Sequence, residues 1–120
     1  MSKNSVEIVV EEGKINIAND IIMTIAEYTA KEVEGIVSIK RGVPKVIAEY
    51  FNPPFDKGDI MYGKYEHEPV IINLSVILEY GYKIPKVVAK VQKKIAKNIK
   101  AMTDISVSRI NVFVRDIVIK

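Results

Sequence analysis

The chain has 120 residues, of which 48% are hydrophobic, with one histidine, no cysteine and a formal net charge of +3. That is one domain's length, with apolar material for a single core; disulfides, thiolate nucleophiles and cysteine-ligated metals are excluded, and His67 alone builds no histidine-rich metal site. The charge is uneven: residues 1–35 carry three Lys and seven acids, whereas residues 83–102 carry seven Lys and no acid, which points to a directed patch rather than a uniformly basic molecule.

"VEIVVEEGKINIA" places Val6, Ile8 and Val10 on one side, followed by Ile15 and Ile17, and reads as two short strands around a tight turn at Gly13. In "NDIIMTIAEYTAKEVEG" the residues Ile22, Ile25, Ala26, Thr29 and Val33 recur at helical spacing, with Asn19 as the expected cap, Asp20 in the first turn and Gly35 at the close. "IVSIK" reads as a short strand and "VPKVIAEYF" as a short helix with Pro44 in its first turn. Residues 52–69 hold three of the five prolines and two of the six glycines and read as a loop or irregular hairpin, long for a compact domain.

"VIINLSVILEY" alternates, with Val70, Ile72, Leu74, Val76, Leu78 and Tyr80 on the core face and Ile71, Asn73, Ser75, Ile77 and Glu79 on a mixed face. In "EYGYKIP", Gly81 suits a positive φ where the strand stops, and Pro85 suits the first turn of the next helix. The join reads as a corner, although the free N–H groups beside Lys83 also leave an anion site open. From Pro85 to about Met102, Ile84, Val87, Val88, Val91, Ile95, Ile99 and Met102 fall within an arc of roughly 120°. In "ISVSRINVFVRDIVIK" the apolar phase slips near Ser108 and Arg109, as a bulge or a strand starting after Ser108 would produce. The order ββαβ(α)βαβ predicts an α+β fold, a two-layer domain spanning residues 1–120 with a mixed sheet and two main helices on one face.

Two stretches resemble a known family. "INIANDIIMTIAEYTAKEVEGIVSI" and "INLSVILEYGYKIPKVVAKVQKKIAKNIKAMTDISVSRINVFV" are similar to the alkaline shock protein family of bacteria, through the "EVEG" helix, the "EYG..IP" join, the "VQ.K" helix and the "MT…V..INV.V" end. Asp104 stands where the family usually has glycine. The resemblance implies an abundant cytoplasmic protein linked to stress response and cell-envelope homeostasis. Some members assemble with themselves, and some are held by a membrane-anchored relative. It implies no catalytic residues and no cofactor.

Lys90, Lys93, Lys97 and Lys100 fall within roughly 40° of Lys86 on the helical wheel, forming a ridge about 20 Å long opposite the apolar stripe. A face built only for solubility would mix signs and gain i,i+4 pairs. Three partners fit the ridge: anionic lipid headgroups, nucleic acid, or another copy using the acidic N-terminal third around Glu27, Glu32 and Glu34. With no arginine, GxxG clamp or interleaved aromatics, nucleic acid is disfavoured. Tyr50, Phe51, Phe55, Tyr62 and Tyr65 cluster on the irregular segment, either packing it to the body or forming a partner surface. His67, between Glu66 and Glu68, lacks a nucleophile or second ligand, and no serine lies in a nucleophile-elbow pattern.

The expectation is a non-enzymatic interaction protein without metal or cofactor, acting through self-association and docking to a membrane-anchored protein. No apolar run spans a bilayer and no signal peptide is recognised, so it is placed in the cytosol, with a peripheral position at the inner face of the membrane open to it. The alternatives are a nucleic-acid-binding accessory domain using the ridge, or a regulatory subunit of a lipid-metabolic enzyme.

Overall fold

The structure, a computed structural model, describes residues 5–42 and 70–119. Strands β1 (Ser5–Val10) and β2 (Gly13–Ala18) pair antiparallel, Val6 opposite Ile17 and Ile8 opposite Ile15, so these four apolar residues share one side. Glu11 and Glu12 make the turn between them. The hairpin is a sheet of its own and packs through Val6, Ile8 and Ile17 into the core.

Helix α1 (Asn19–Lys31) follows β2 without a connecting loop. Its N-cap is Ala18 rather than Asn19, because Ala18 is the last residue with extended dihedrals (φ −61°, ψ 142°), and an alanine offers no side-chain cap bond. The helical spacing is otherwise as the sequence predicts: Ile22, Ile25, Ala26, Thr29 and then Val33 are buried. Thr29 tolerates burial because its hydroxyl donates to the Ile25 carbonyl at 2.7 Å and accepts from the Asn98 amide at 2.9 Å. The bond from Asn98 ties α1 to the second helix.

Strands β3 (Ile36–Arg41), β4 (Ile71–Glu79) and β5 (Arg109–Val118) form a second sheet in that spatial order. β3 runs antiparallel to β4 and β5 parallel to it, so the link from β4 to β5 has to cross over the sheet. Helix α2 (Ile84–Thr103) is that crossover. On β4, Ile72, Leu74, Val76 and Leu78 are at most 1% exposed and meet the two helices; each such side chain contributes about 1.5–3 kcal/mol by leaving water. The opposite face of β4 is mixed, as its alternation predicts: Ile71, Asn73, Ile77 and Glu79 are half-buried, while Ser75 is buried and donates to the Gly42 carbonyl at 3.0 Å.

Three apolar positions differ from the sequence pattern. Tyr80 continues the core phase of β4 but is 70% exposed, because the strand ends at Glu79 and the chain turns at Gly81. Met102, likewise in phase with the α2 stripe, is 70% exposed, since the buried positions Val87, Val91, Ile95 and Ile99 stop one turn before the helix ends. Ile84, at the other end of the stripe, is 37% exposed. The slip in the last segment is a strand that begins at Arg109: Ile105 is buried in the connection, and Ile110, Val112 and Val114 then pair with Ile72, Leu74 and Val76. A register shift between Val114 and Asp116 adds a bulge further along. The short helix expected from Pro44 and the loop expected over residues 52–69 lie outside the described residues.

Candidate docking surface

The α2 helix carries the basic segment. Lys83, with φ −75° and ψ 117°, is its N-cap, Pro85 occupies the first turn, and the Val87 N–H closes that turn on the Lys83 carbonyl at 3.1 Å. Pro85 has no N–H to leave unpaired there and its ring presets the helical φ. At the far end Asp104 caps the helix in the left-handed region (φ 65°, ψ 9°) and returns its N–H to the Lys100 carbonyl at 2.9 Å. The four buried residues Val87, Val91, Ile95 and Ile99 fix the rotation of the helix.

That rotation turns Lys86, Lys90, Lys93, Lys97 and Lys100 to solvent, and all five are exposed. Lys83 and Lys94, which fall roughly 60° and 80° from Lys86 on the wheel, are exposed beside them and widen the ridge. Among the described residues only Lys100 of the seven makes an ion pair, to Asp104 at 3.3 Å, and it also donates to the Asp104 carbonyl at 3.1 Å. Lys100 therefore has a capping role. Lys86, Lys90, Lys93 and Lys97 make no ion pair among the described residues.

At the start of α2 the corner meets the end of α1. Gly81 has φ +108°, the positive value its place in "EYGYKIP" predicts. Gly35, at φ +99°, lies under the Tyr82 ring, and its carbonyl accepts the Glu79 N–H at 2.9 Å. The Tyr82 hydroxyl donates to Glu34 Oε1 at 3.3 Å. The phenol is held above its ordinary pKa, first by desolvation, then by the charge and hydrogen bond of Glu34 and by the charge of Glu79. A shallow pocket of about 210 Å³ opens beside it, lined by Glu34, Gly81, Tyr82, Lys83, Lys86, Val87 and Lys90. An anion entering it would meet the Glu34 carboxylate as well as the lysines, so the corner reading accounts for this stretch better than a phosphate site does.

Of the acids named for contact with another copy, Glu27 is engaged within the molecule: Arg41 Nε donates to it at 2.9 Å, and the same guanidinium pairs with Asp20 and donates to Thr24 Oγ1 at 3.3 Å. Glu32 and Glu34 are exposed at the end of α1. The aromatic cluster Tyr50, Phe51, Phe55, Tyr62 and Tyr65, together with His67, lies outside the described residues. The sequence reading missed Tyr82 and Arg41, whose partners are distant along the chain; the flanking Lys83 and Lys94 could have been found on the same wheel that shows the ridge.

The "EVEG" and "EYG..IP" stretches that carry the resemblance thus touch each other through the Glu79–Gly35 bond and the Gly35–Tyr82 contact. A profile of the alkaline shock protein family, described by its cell envelope-related function, matches residues 7–119. The chain belongs to the alkaline shock protein family. It is similar to the uncharacterized protein YqhY of Bacillus subtilis, 29% identical over 107 residues, covering 85% of this chain and 75% of YqhY. The uncharacterized protein YloU of the same organism is 27% identical over 119 residues, covering 94% of this chain and 95% of YloU. The uncharacterized protein Spy1535 of Streptococcus pyogenes is 29% identical over 110 residues, with 88% and 80% covered. No solved structure matches the chain significantly. As an alkaline shock family member the protein has a cell envelope-related function, and among its described residues no helix is long and apolar enough to cross a membrane.

Proposed function

We propose that this alkaline shock family protein is a non-enzymatic component of stress response and envelope homeostasis, acting through self-association and docking to partner proteins at the cytoplasmic side of the membrane. The lysine face of α2 is turned toward an acidic surface there. The observation that carries this reading is the exposed row Lys86, Lys90, Lys93 and Lys97, which has no acidic neighbour on its own helix and no ion pair among the described residues. Like charges at i,i+3 and i,i+4 cost roughly 0.2–0.5 kcal/mol per pair in an isolated helix, and an acidic partner relieves that cost. The row is held in place by Val87, Val91, Ile95 and Ile99, buried on the opposite face of the same helix.

The test replaces Lys90, Lys93 and Lys97 together by Glu and compares tagged wild type with the variant in extracts of the native host. The fold should persist, since all three side chains are exposed, while recovery in the envelope fraction and capture of partners fall to background. Undiminished recovery by the triple variant overturns the docking role of α2. Sub-micromolar nucleic-acid binding that resists moderate salt would favour the nucleic-acid reading instead, because phosphate contacts made by lysines alone weaken steeply as salt rises.

A further inference from the structure

We infer that the acidic surface met by the lysine ridge is the phospholipid bilayer itself, which the protein contacts directly and without insertion. The inference rests on the reading that the chain works at the cytoplasmic side of the membrane, and it names what the ridge touches there.

What surrounds the lysines fits a fluid anionic surface better than it fits a pocketed protein partner. The small residues Ala89, Ala96 and Ala101 border the ridge on the wheel, and no aromatic or large apolar side chain interrupts it. Protein interfaces place aromatic, methionine and arginine anchors in pockets and are depleted in lysine; along α2 this face carries no such anchor, the one aromatic beside it, Tyr82, being bonded to Glu34 at the start of the ridge, and it carries seven lysines. Arginine would supply a fork for carboxylates or phosphates held in fixed geometry, and the ridge has none, only flexible ammonium groups that act as point charges. Such groups suit a partner whose anions move sideways to meet them. Lipid headgroups in a fluid leaflet do so, whereas the phosphates of a nucleic acid are fixed in spacing and its bases call for stacking aromatics that the ridge lacks.

Shape agrees with charge. A helix of 20 residues buried along one side presents its opposite line as a convex ridge, a shape that can lie along a plane. The apolar residues of α2 that reach solvent, Ile84 and Met102, lie on the stripe side of the helix, away from the ridge, so nothing on the contacting line enters the acyl region. The contact is electrostatic and reversible, unlike that of an amphipathic helix that buries its apolar face in the membrane.

The experiment is co-sedimentation of the purified full chain with vesicles of phosphatidylcholine alone and with half of it replaced by phosphatidylglycerol, at low and at moderate salt. Binding should require the anionic lipid and be lost at moderate salt. Lys90, Lys93 and Lys97 replaced together by Gln should weaken it about a hundredfold, at roughly fivefold per lysine near an anionic surface. A control replacing Lys14, Lys31 and Lys40, exposed but off the ridge, makes the same change in net charge and should leave binding within about threefold of wild type. Equal loss in both variants, binding that survives moderate salt, tighter binding to single-stranded RNA at physiological salt, or no vesicle binding at all would each overturn the inference. Absence of vesicle binding alongside ridge-dependent recovery from extracts would assign the ridge to a protein partner and leave the docking function standing.

Discussion

Tyr82 closes over Gly35: a Cβ placed on the glycine would stand 3.0 Å from the ring's Cγ and 3.3 Å from a methyl of Val87. Gly35 therefore answers to two requirements at once, its φ of +99° and the absence of a side chain. Gly81 has φ +108°, but a Cβ placed there would meet nothing within 4 Å, so it answers only to the first.

Gly81→Ala should cost about 1–2 kcal/mol from backbone strain alone, and Gly35→Ala clearly more, because the ring or the backbone must shift as well. In a Tyr82→Ala background the excess at Gly35 should shrink toward the Gly81 value. Urea denaturation of the four variants measures this; equal losses at the two glycines in the parent chain would show that the ring yields freely.

Ile95 is fully buried and Lys93, two residues earlier, is exposed. Ile95→Ala should lower stability by about 2–5 kcal/mol and Lys93→Ala by a few tenths at most. Matching small losses would mean that the helix is rotated relative to the sheet.

Asp104 holds the left-handed cap at φ 65°. Glycine adopts that conformation without the Cβ penalty, whereas the exposed pair with Lys100 contributes little. Asp104→Gly should therefore raise stability by about 0.5 kcal/mol, and Asp104→Val should lower it by about 1–2 kcal/mol, since a β-branched residue tolerates this region worst. The midpoints of chemical unfolding decide.

The alkaline limb of stability should carry a contribution from Tyr82. Its phenol ionises at higher pH in the folded chain than in the unfolded one, so the protonated form is the one that folding favours. That stability is whole below the unfolded value, about 10 for a free phenol, and declines as pH rises through the folded value. Tyr82→Phe should lack this decline, so the wild-type and variant curves should converge or cross as pH rises. Parallel curves through the alkaline range would show that the phenol is not desolvated.

Periodicity made β4 and the buried stripe of α2 legible in the sequence, because alternate positions on a strand and every third or fourth on a helix must share one environment. It could not say where the packed layer stops, which is why Tyr80 and Met102 keep the phase of the core yet stand in water. The lysine ridge was legible for the same reason as the stripe, being its complement on one wheel. The Glu34–Tyr82 bond and the Arg41 pairs were not, since they join residues 48, 14 and 21 positions apart and no local rule links them. The composition of the opening segments suggested a hairpin; that it forms a separate sheet packed on the core depends on tertiary contacts that no strand pattern encodes.

The parallel β4–β5 ladder also sets an order of events during synthesis. β4 is the central strand of its sheet, and its partner on one side, β5, leaves the ribosome only after the whole of α2 has been made. Until then β4 has one unpaired edge, and the apolar stripe of α2 has only part of its packing surface. Exposed strand edges and uncovered apolar faces are where nascent chains aggregate. Pairing with β3, already synthesised, can proceed first, because closing even a long connection adds only about 0.6 kcal/mol for each doubling of its length. The vulnerable interval in the life of this protein is thus the translation of α2 and β5.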